Sequence, residues 1–315
     1  METKFSTSTN IIRDSERHIQ YIATPNTKRV FKLIENDFQK GIHSFNLIGS
    51  YGTGKSSFLW AFEKSIQGDM KFFESESLTT QNFETWKFVG KYASLIDTIS
   101  EHLDVKSNNP DAVLSEIYKR YKKLEGNDKG LLFLVDEFGK FLEFASKNNP
   151  ERELYFIQEL AEFFNNPNHQ TLLVTTVHQN FDAYSFSLST SQRQEWSKVK
   201  GRFKEITFNE PIEQLLYLSA ESLSGKNQII DASNPVFDLE LRLLQDSKAF
   251  NLNLDYARNI AFKLFPLDLI SANVLTLSLQ KYGQNERSLF TFLESEDFRS
   301  NHDSNDFYHL GKVYD

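Results

Sequence analysis

The stretch LIGSYGTGKSSFLW, Leu47 to Trp60, decides the fold. A short apolar run leads into three glycines, and a lysine and two serines then open an amphipathic segment. Gly49-Ser50-Tyr51-Gly52-Thr53-Gly54-Lys55-Ser56 satisfies the spacing G-x-x-x-x-G-K-[ST], with a strand signal before it and a helix signal after it. Glycines let a backbone fold into a concave nest whose N–H groups converge on an anion, and the helix that starts there adds its positive end. Loop residues Gly49 to Ser57 are therefore expected to cradle phosphates. Lys55 would reach the outer phosphates, and the Ser56 hydroxyl would serve Mg²⁺.

Such a loop needs an acidic partner at the end of a neighbouring strand. LLFLVDEFGK, residues 131 to 140, supplies one: a continuous apolar run closed by Asp136 and Glu137. Asp136 would hold the metal, and Glu137 would polarise water as a general base. A carboxylate base favours hydrolysis of ATP over storage of nucleotide. The next apolar run, QTLLVTTV, ends near Thr176, His178 and Gln179. Any of these can sense the outermost phosphate, and His178 and Gln179 are the candidates for catalysis. Arg202 precedes a fifth strand signal, FKEITF; it is either a guanidinium for a transition-state phosphate or a surface arginine. Arg287 opens the last helical pattern; it either folds over the nucleotide or sits in a solvated first turn. The basic run at 119–123 is read as a solvated helix face.

Around these motifs, helix and strand signals alternate from residue 26 to about 209. HSFNLIG, WKFVG, GLLFLVDEF, QTLLVTTV and FKEITF are the strands, implying a mainly parallel sheet with helices on both faces. After Pro211 only helical patterns follow: IEQLLYLSAESL, DLELRLLQDS, DYARNIAFKLF, LISANVLTLSLQKYG and ERSLFTFLES. The expected organisation is an arm and helix over 1–40, a P-loop core over 41–210, an all-helical lid over 211–295 and a tail over 296–315. The tail lacks a polar end and reads as an element cut short, so a longer natural chain is expected.

The chain has 315 residues, more than one core usually serves, and its 29 Phe suffice for a large interior. A net charge of −8 argues against a nucleic-acid coat or a membrane-surface protein. With no cysteine there is no disulfide, thiolate metal site or thiol nucleophile. The start is polar and no apolar run approaches the ~20 residues of a membrane helix. The expected setting is cytoplasmic.

Together these motifs resemble the ATPases of the AAA+ superclade, in its origin-recognition and STAND-like branch. GSYGTGKSS is similar to Walker A and LLFLVDEF to Walker B, and VKGRFKEITFNEP is similar to the stretch that carries an arginine finger. That likeness implies finger status for Arg202, acting on a neighbouring subunit, although Val199 stands where a second arginine is common. The usual sensor asparagine is replaced by His178-Gln179. QNERSLFTFL resembles the sensor-2 helix, which implies a nucleotide contact for Arg287. YIATPNTKRVFKLI resembles the adenine-side segment, which implies that Ile22 and Pro25 lie near the base. DEFGKFLEFA, HQNFDAYS and QRQEWSKVKGRF further resemble the N-terminal ATPase region of large bacterial ATP-binding proteins found among anti-phage defence genes. The resemblance implies a Mg²⁺-dependent ATPase that performs conformational work in a homo-oligomer or larger assembly, on nucleic acid or a partner protein. The alternatives are an ATP-dependent oligomerisation switch with slow hydrolysis and, less well supported, a small-molecule kinase.

Overall fold

The computed structural model describes residues 9–17, 19, 21–75, 77–78, 82–186, 188–208, 212–223, 235–247, 254–282, 286–296, 298 and 307–311. The first helix, α1 (Pro25–Phe38), is started by Thr24, whose side chain accepts from the Thr27 amide, and by a proline that needs no amide partner. Then come β1 (Ser44–Ile48), α2 (Lys55–Ile66), β2 (Phe83–Val89), α3 (Leu95–His102), α4 (Pro110–Glu125), β3 (Gly130–Asp136), α5 (Gly139–Lys147), α6 (Pro150–Phe164), β4 (Thr171–Val177), a 3₁₀ turn (Phe181–Ser185), α7 (Thr190–Gly201) and β5 (Lys204–Thr207). The strands form one sheet in the order β2-β3-β4-β1-β5, and every pairing is parallel.

Side chains alternate across this sheet as the strand period requires. Phe45, Leu47, Leu132, Leu134, Leu172, Val174 and Ile206 face a core built with α1 and α2, through Phe31, Ile34, Phe58 and Phe62. Leu131, Phe133, Val135, Leu173 and Val177 face the opposite core, built with α3 to α7. Burial on both faces explains why β3 and β4 read as unbroken apolar runs. The helix after β1 thus covers one face while those after β2, β3 and β4 cover the other. The crevice at the strand ends where connections part in this way is the ligand position of open α/β sheets.

The second half is helical: α8 (Ile212–Leu223), α9 (Pro235–Ser247), α10 (Leu254–Ile260) with a 3₁₀ turn (Ala261–Lys263), α11 (Leu269–Tyr282) and α12 (Glu286–Leu293). These share their own core, including Leu215, Leu216, Leu241, Leu264, Leu275 and Leu289. DYARNIAFKLF, expected as one helix, is α10 followed by that 3₁₀ turn. The expected boundary at 209–211 lies outside the described residues. Two helices were not legible in the sequence: α5, which directly follows Glu137, and α7, which carries a Ser189–Gln192 capping box. The N-terminal arm is more than a polar leader. Ile11 and Ile19 are buried in the α1–α2 core, and the Trp60 indole donates to the Asp14 carbonyl at 3.2 Å. In the basic run, Lys119 and Arg120 pair with Glu116 and Lys122 with Glu125, as a solvated face would. No described helix is long and apolar enough to cross a membrane.

Candidate functional site

The site lies where β1, β3 and β4 end. Gly49 leaves β1 with its amide on the Val177 carbonyl, and a Cβ there would sit 2.0 Å from the Phe208 carbonyl oxygen. Gly52 and Gly54 have φ of 72° and 79°, the left-handed region that costs an L-residue about 1–2 kcal/mol. Gly54 is also the N-cap of α2, so the helix amides open onto the loop.

Lys55 is buried, and its ammonium donates to the carbonyls of Gly49 at 2.6 Å and Ser50 at 2.7 Å. Burial pulls it down to about 8, against the charges of Asp136 and Glu137, so it is still a cation at neutral pH. Asp136, also buried, accepts at Oδ1 from the Thr176 hydroxyl at 2.7 Å and from the Glu137 amide at 3.0 Å. Glu137 is a non-glycine residue at φ 52°, and its amide also donates to Thr176 Oγ1 at 2.9 Å. Left-handed backbone at a bulky residue is strain of the kind that functional sites hold. Burial, then the neighbouring Asp136, raise the Glu137 carboxyl above the usual range, while Lys140 and Lys55 oppose the rise. A raised carboxylate is a better proton acceptor for water.

His178 stacks on Tyr51 with ring centroids 3.7 Å apart and planes 23° apart. Both of its ring nitrogens are buried and, among the described residues, have no hydrogen-bond partner. An unmade bond of this kind costs about 1–3 kcal/mol. Burial, then Lys55 and Lys140, hold the imidazole down at about 4, so it is neutral at physiological pH.

The sheet therefore brings Lys55, Asp136, Glu137 and His178 to one edge. Ser56 is half-buried in the first turn of α2, and Ser57 shares a hydrogen bond of 2.9 Å with Thr9 of the arm. Gln179 is exposed. Ile22 packs on the core of the helical unit while its neighbours Tyr21 and Ala23 pack on the sheet core, and Pro25 is exposed at the head of α1. Arg202 is elsewhere. Lys204 is level with Phe45, so Arg202 stands beside the start of β1, at the opposite edge of the sheet. Its guanidinium pairs with Glu162 and donates to the Lys198 carbonyl at 2.8 Å. Arg287 falls in the first turn of α12, and its side chain is outside the described residues.

Two contributors, Gly90 and Lys140, were hidden in the sequence, as was the role of a third. Thr176 was one of three open candidates; its tie to Asp136 depends on the β3–β4 pairing. Gly90 ends β2 with its amide on the Asp136 carbonyl, and a Cβ there would lie 1.9 Å from the Glu137 carbonyl oxygen. Lys140 reaches Glu137, His178 and Tyr51 with its charge from the first turn of α5.

For a metal, a serine hydroxyl and a carboxylate are hard oxygen donors. Among the described residues no three His, Asp or Glu side chains form a cluster able to cage an ion. One carboxylate and one hydroxyl, completed by phosphate and water, is the donor set that suits Mg²⁺.

No family model and no curated protein matches the chain. Solved structures do. A chain of Drosophila ORC, solved bound to DNA, aligns with the whole sequence at 10% identity and a TM-score of 0.50, over 66% of its own length. The fold is the AAA+ fold. The ORC2 protein of Aeropyrum pernix, in ADPNP and ADP complexes, aligns with 91% of the chain over 72% of its own length, at 11% identity and a TM-score of 0.46. Domain III of the Thermotoga maritima replication initiation protein DnaA aligns with 76% of the chain over 92% of its own length, at 12% identity and a TM-score of 0.39. At such identities the likeness is one of fold, and the AAA+ sheet is what the comparison establishes.

Proposed function

We propose that this chain is a Mg²⁺-dependent ATPase. The loop Gly49–Ser57 holds the phosphates, with Lys55 on the outer ones, and Glu137 takes a proton from the attacking water. Ser56 and Asp136 would hold Mg²⁺, which when bound neutralises charge on the phosphate oxygens. Ile22 and Pro25 flank the base, and Arg287 reaches the nucleotide from the helical unit. The observation that carries the reading is the meeting of a buried lysine with two strand-end carboxylates, one of them raised, at the mouth of a glycine nest. Hydrolysis then drives conformational work in an assembly, in bacterial anti-phage defence or DNA processing. DNA is the polymer to test first, because the Drosophila ORC chain was solved on it. Calorimetry with ATP tests the core of the reading. Lys55→Ala should lose about 100-fold or more in affinity, and equal binding by parent and variant would show the site is misassigned.

A second reading is a switch that binds ATP to hold an oligomer and hydrolyses it slowly. The engagement of Arg202 with Glu162 favours it, since a guanidinium tied to its own chain does not serve a neighbour's nucleotide. Turnover measured against protein concentration separates the two: a rising specific activity supports the finger in trans, and a flat, slow rate supports the switch.

A further inference from the structure

The side chain of Tyr51 has no part in a glycine nest, since a phosphate-binding loop contributes backbone amides at that position. Here it does something specific. Gly52, left-handed on its C-terminal side, turns the loop there, and the Tyr51 ring lies flat on the His178 imidazole at the end of β4, two strands' ends joined by one stack. Burial, then the charges of Lys55 and Lys140, disfavour a proton on His178. The imidazole has an aromatic plate on one face. Its two nitrogens are buried and have no partner among the described residues. Tyr51 as a residue is 53% exposed, so it is a cover at the edge of the site rather than part of the core.

We propose that Tyr51 is a positioning residue that holds His178 as a neutral donor for the outermost phosphate, so that the stack sets preference for a triphosphate over a diphosphate. The inference rests on the ATP site proposed above. A neutral imidazole has one N–H donor and one acceptor nitrogen. Burial, then Lys55 and Lys140, keep it from gaining a second proton, and the ring of Tyr51 fixes its plane and excludes water from one face. The donor then meets an anionic oxygen only when a third phosphate extends beyond the reach of the loop amides. ADP, held by the same amides, leaves the imidazole unbonded.

The test compares binding of ADP and of the non-hydrolysable analogue AMP-PNP, with Mg²⁺, in the parent, Tyr51→Phe, Tyr51→Ala, His178→Ala and the Tyr51→Ala/His178→Ala double variant. A charge-assisted hydrogen bond corresponds to about tenfold or more in affinity. Tyr51→Ala should therefore lose about tenfold for AMP-PNP relative to ADP. Tyr51→Phe, which keeps the stack, should retain the parent ratio, and the double variant should be no worse than His178→Ala alone. By NMR titration, His178 should stay near 4 in the parent and in Tyr51→Phe and rise toward its ordinary 6.5 in Tyr51→Ala. An unchanged ratio in Tyr51→Ala overturns the proposal while leaving the ATP site intact. So does a parallel loss for both nucleotides, which would mean that the ring only supports the loop, or a Phe variant as poor as Ala, which would assign the effect to the hydroxyl. Failure of the parent to bind either nucleotide overturns this inference and the ATP site together.

Discussion

Where the strands begin, polar groups close on one another. The His43 amide donates to Asn165 Oδ1 at 3.0 Å, Asn165 Nδ2 donates to the Arg202 carbonyl at 2.8 Å, and Arg202 pairs with Glu162. Where the strands end, such side-chain ties are made to the backbone or, among the described residues, not made at all. Lys55 rests on backbone carbonyls, Glu137 is held at positive φ, and the His178 nitrogens have no partner among the described residues. Buried polar groups are normally satisfied, because leaving one unmade costs more than making it gains. The closed edge, where the strands begin, is tied together by hydrogen bonds, and the open edge, where they end, carries the proposed site.

Arg202 is where that division is most exposed to failure. If it leaves Glu162 to act as a finger on a neighbour, Arg202→Ala should bind ATP normally and lose about 10³-fold in turnover at high protein concentration. Mixing it with Lys55→Ala should restore part of the activity, because an intact Lys55 site meets an intact Arg202. Undiminished turnover would return Arg202 to the closed edge. Glu137→Gln removes the base and keeps the shape; it should bind ATP and lose about 10²-fold in turnover. Retained hydrolysis in a steady-state phosphate-release assay would move the base to another residue of the open edge.

The helical unit offers a closed cluster of its own. Glu240 accepts from the Leu269 amide at 3.3 Å, while Asp268 accepts from Ser271 and pairs with His309 at 3.0 Å. Burial, then Asp268, push Glu240 up to about 7 from an ordinary 4.5. An acid whose folded pKa is raised gives stability that is present at low pH and is lost as pH rises from about 4.5 through about 7. Glu240→Gln should therefore flatten the melting temperature over that window and stabilise the protein at pH 8 by on the order of 2 kcal/mol. A parallel pH curve for parent and variant would show that the carboxyl does not titrate there. The smallest effect belongs to Asn165→Ala. It should cost about 1 kcal/mol in denaturant unfolding and leave ATP affinity unchanged. A loss of affinity would mean that the two edges communicate.

The glycine loop and the strand-end acids were legible from order alone, because each is a contiguous set of residues whose spacing is its geometry. Gly49 to Ser56 run from the end of β1 into the first turn of α2, and Asp136-Glu137 sit at the end of one apolar run. The alternation of β1 to β5 with helices was legible for the same reason, since period and burial are local properties. Helix α5 was hidden because it begins immediately after the acids, and α7 because it buries only Trp196 and Val199. What order along the chain does not contain is which strand ends become neighbours. Placing β1 between β4 and β5 sets Tyr51 against His178; placing β3 beside β4 sets Thr176 on Asp136; placing β2 beside β3 sets Gly90 under Glu137. Each contact joins residues far apart in the chain, and their chemistry depends on a low-dielectric neighbourhood that exists only once the sheet has closed over both faces.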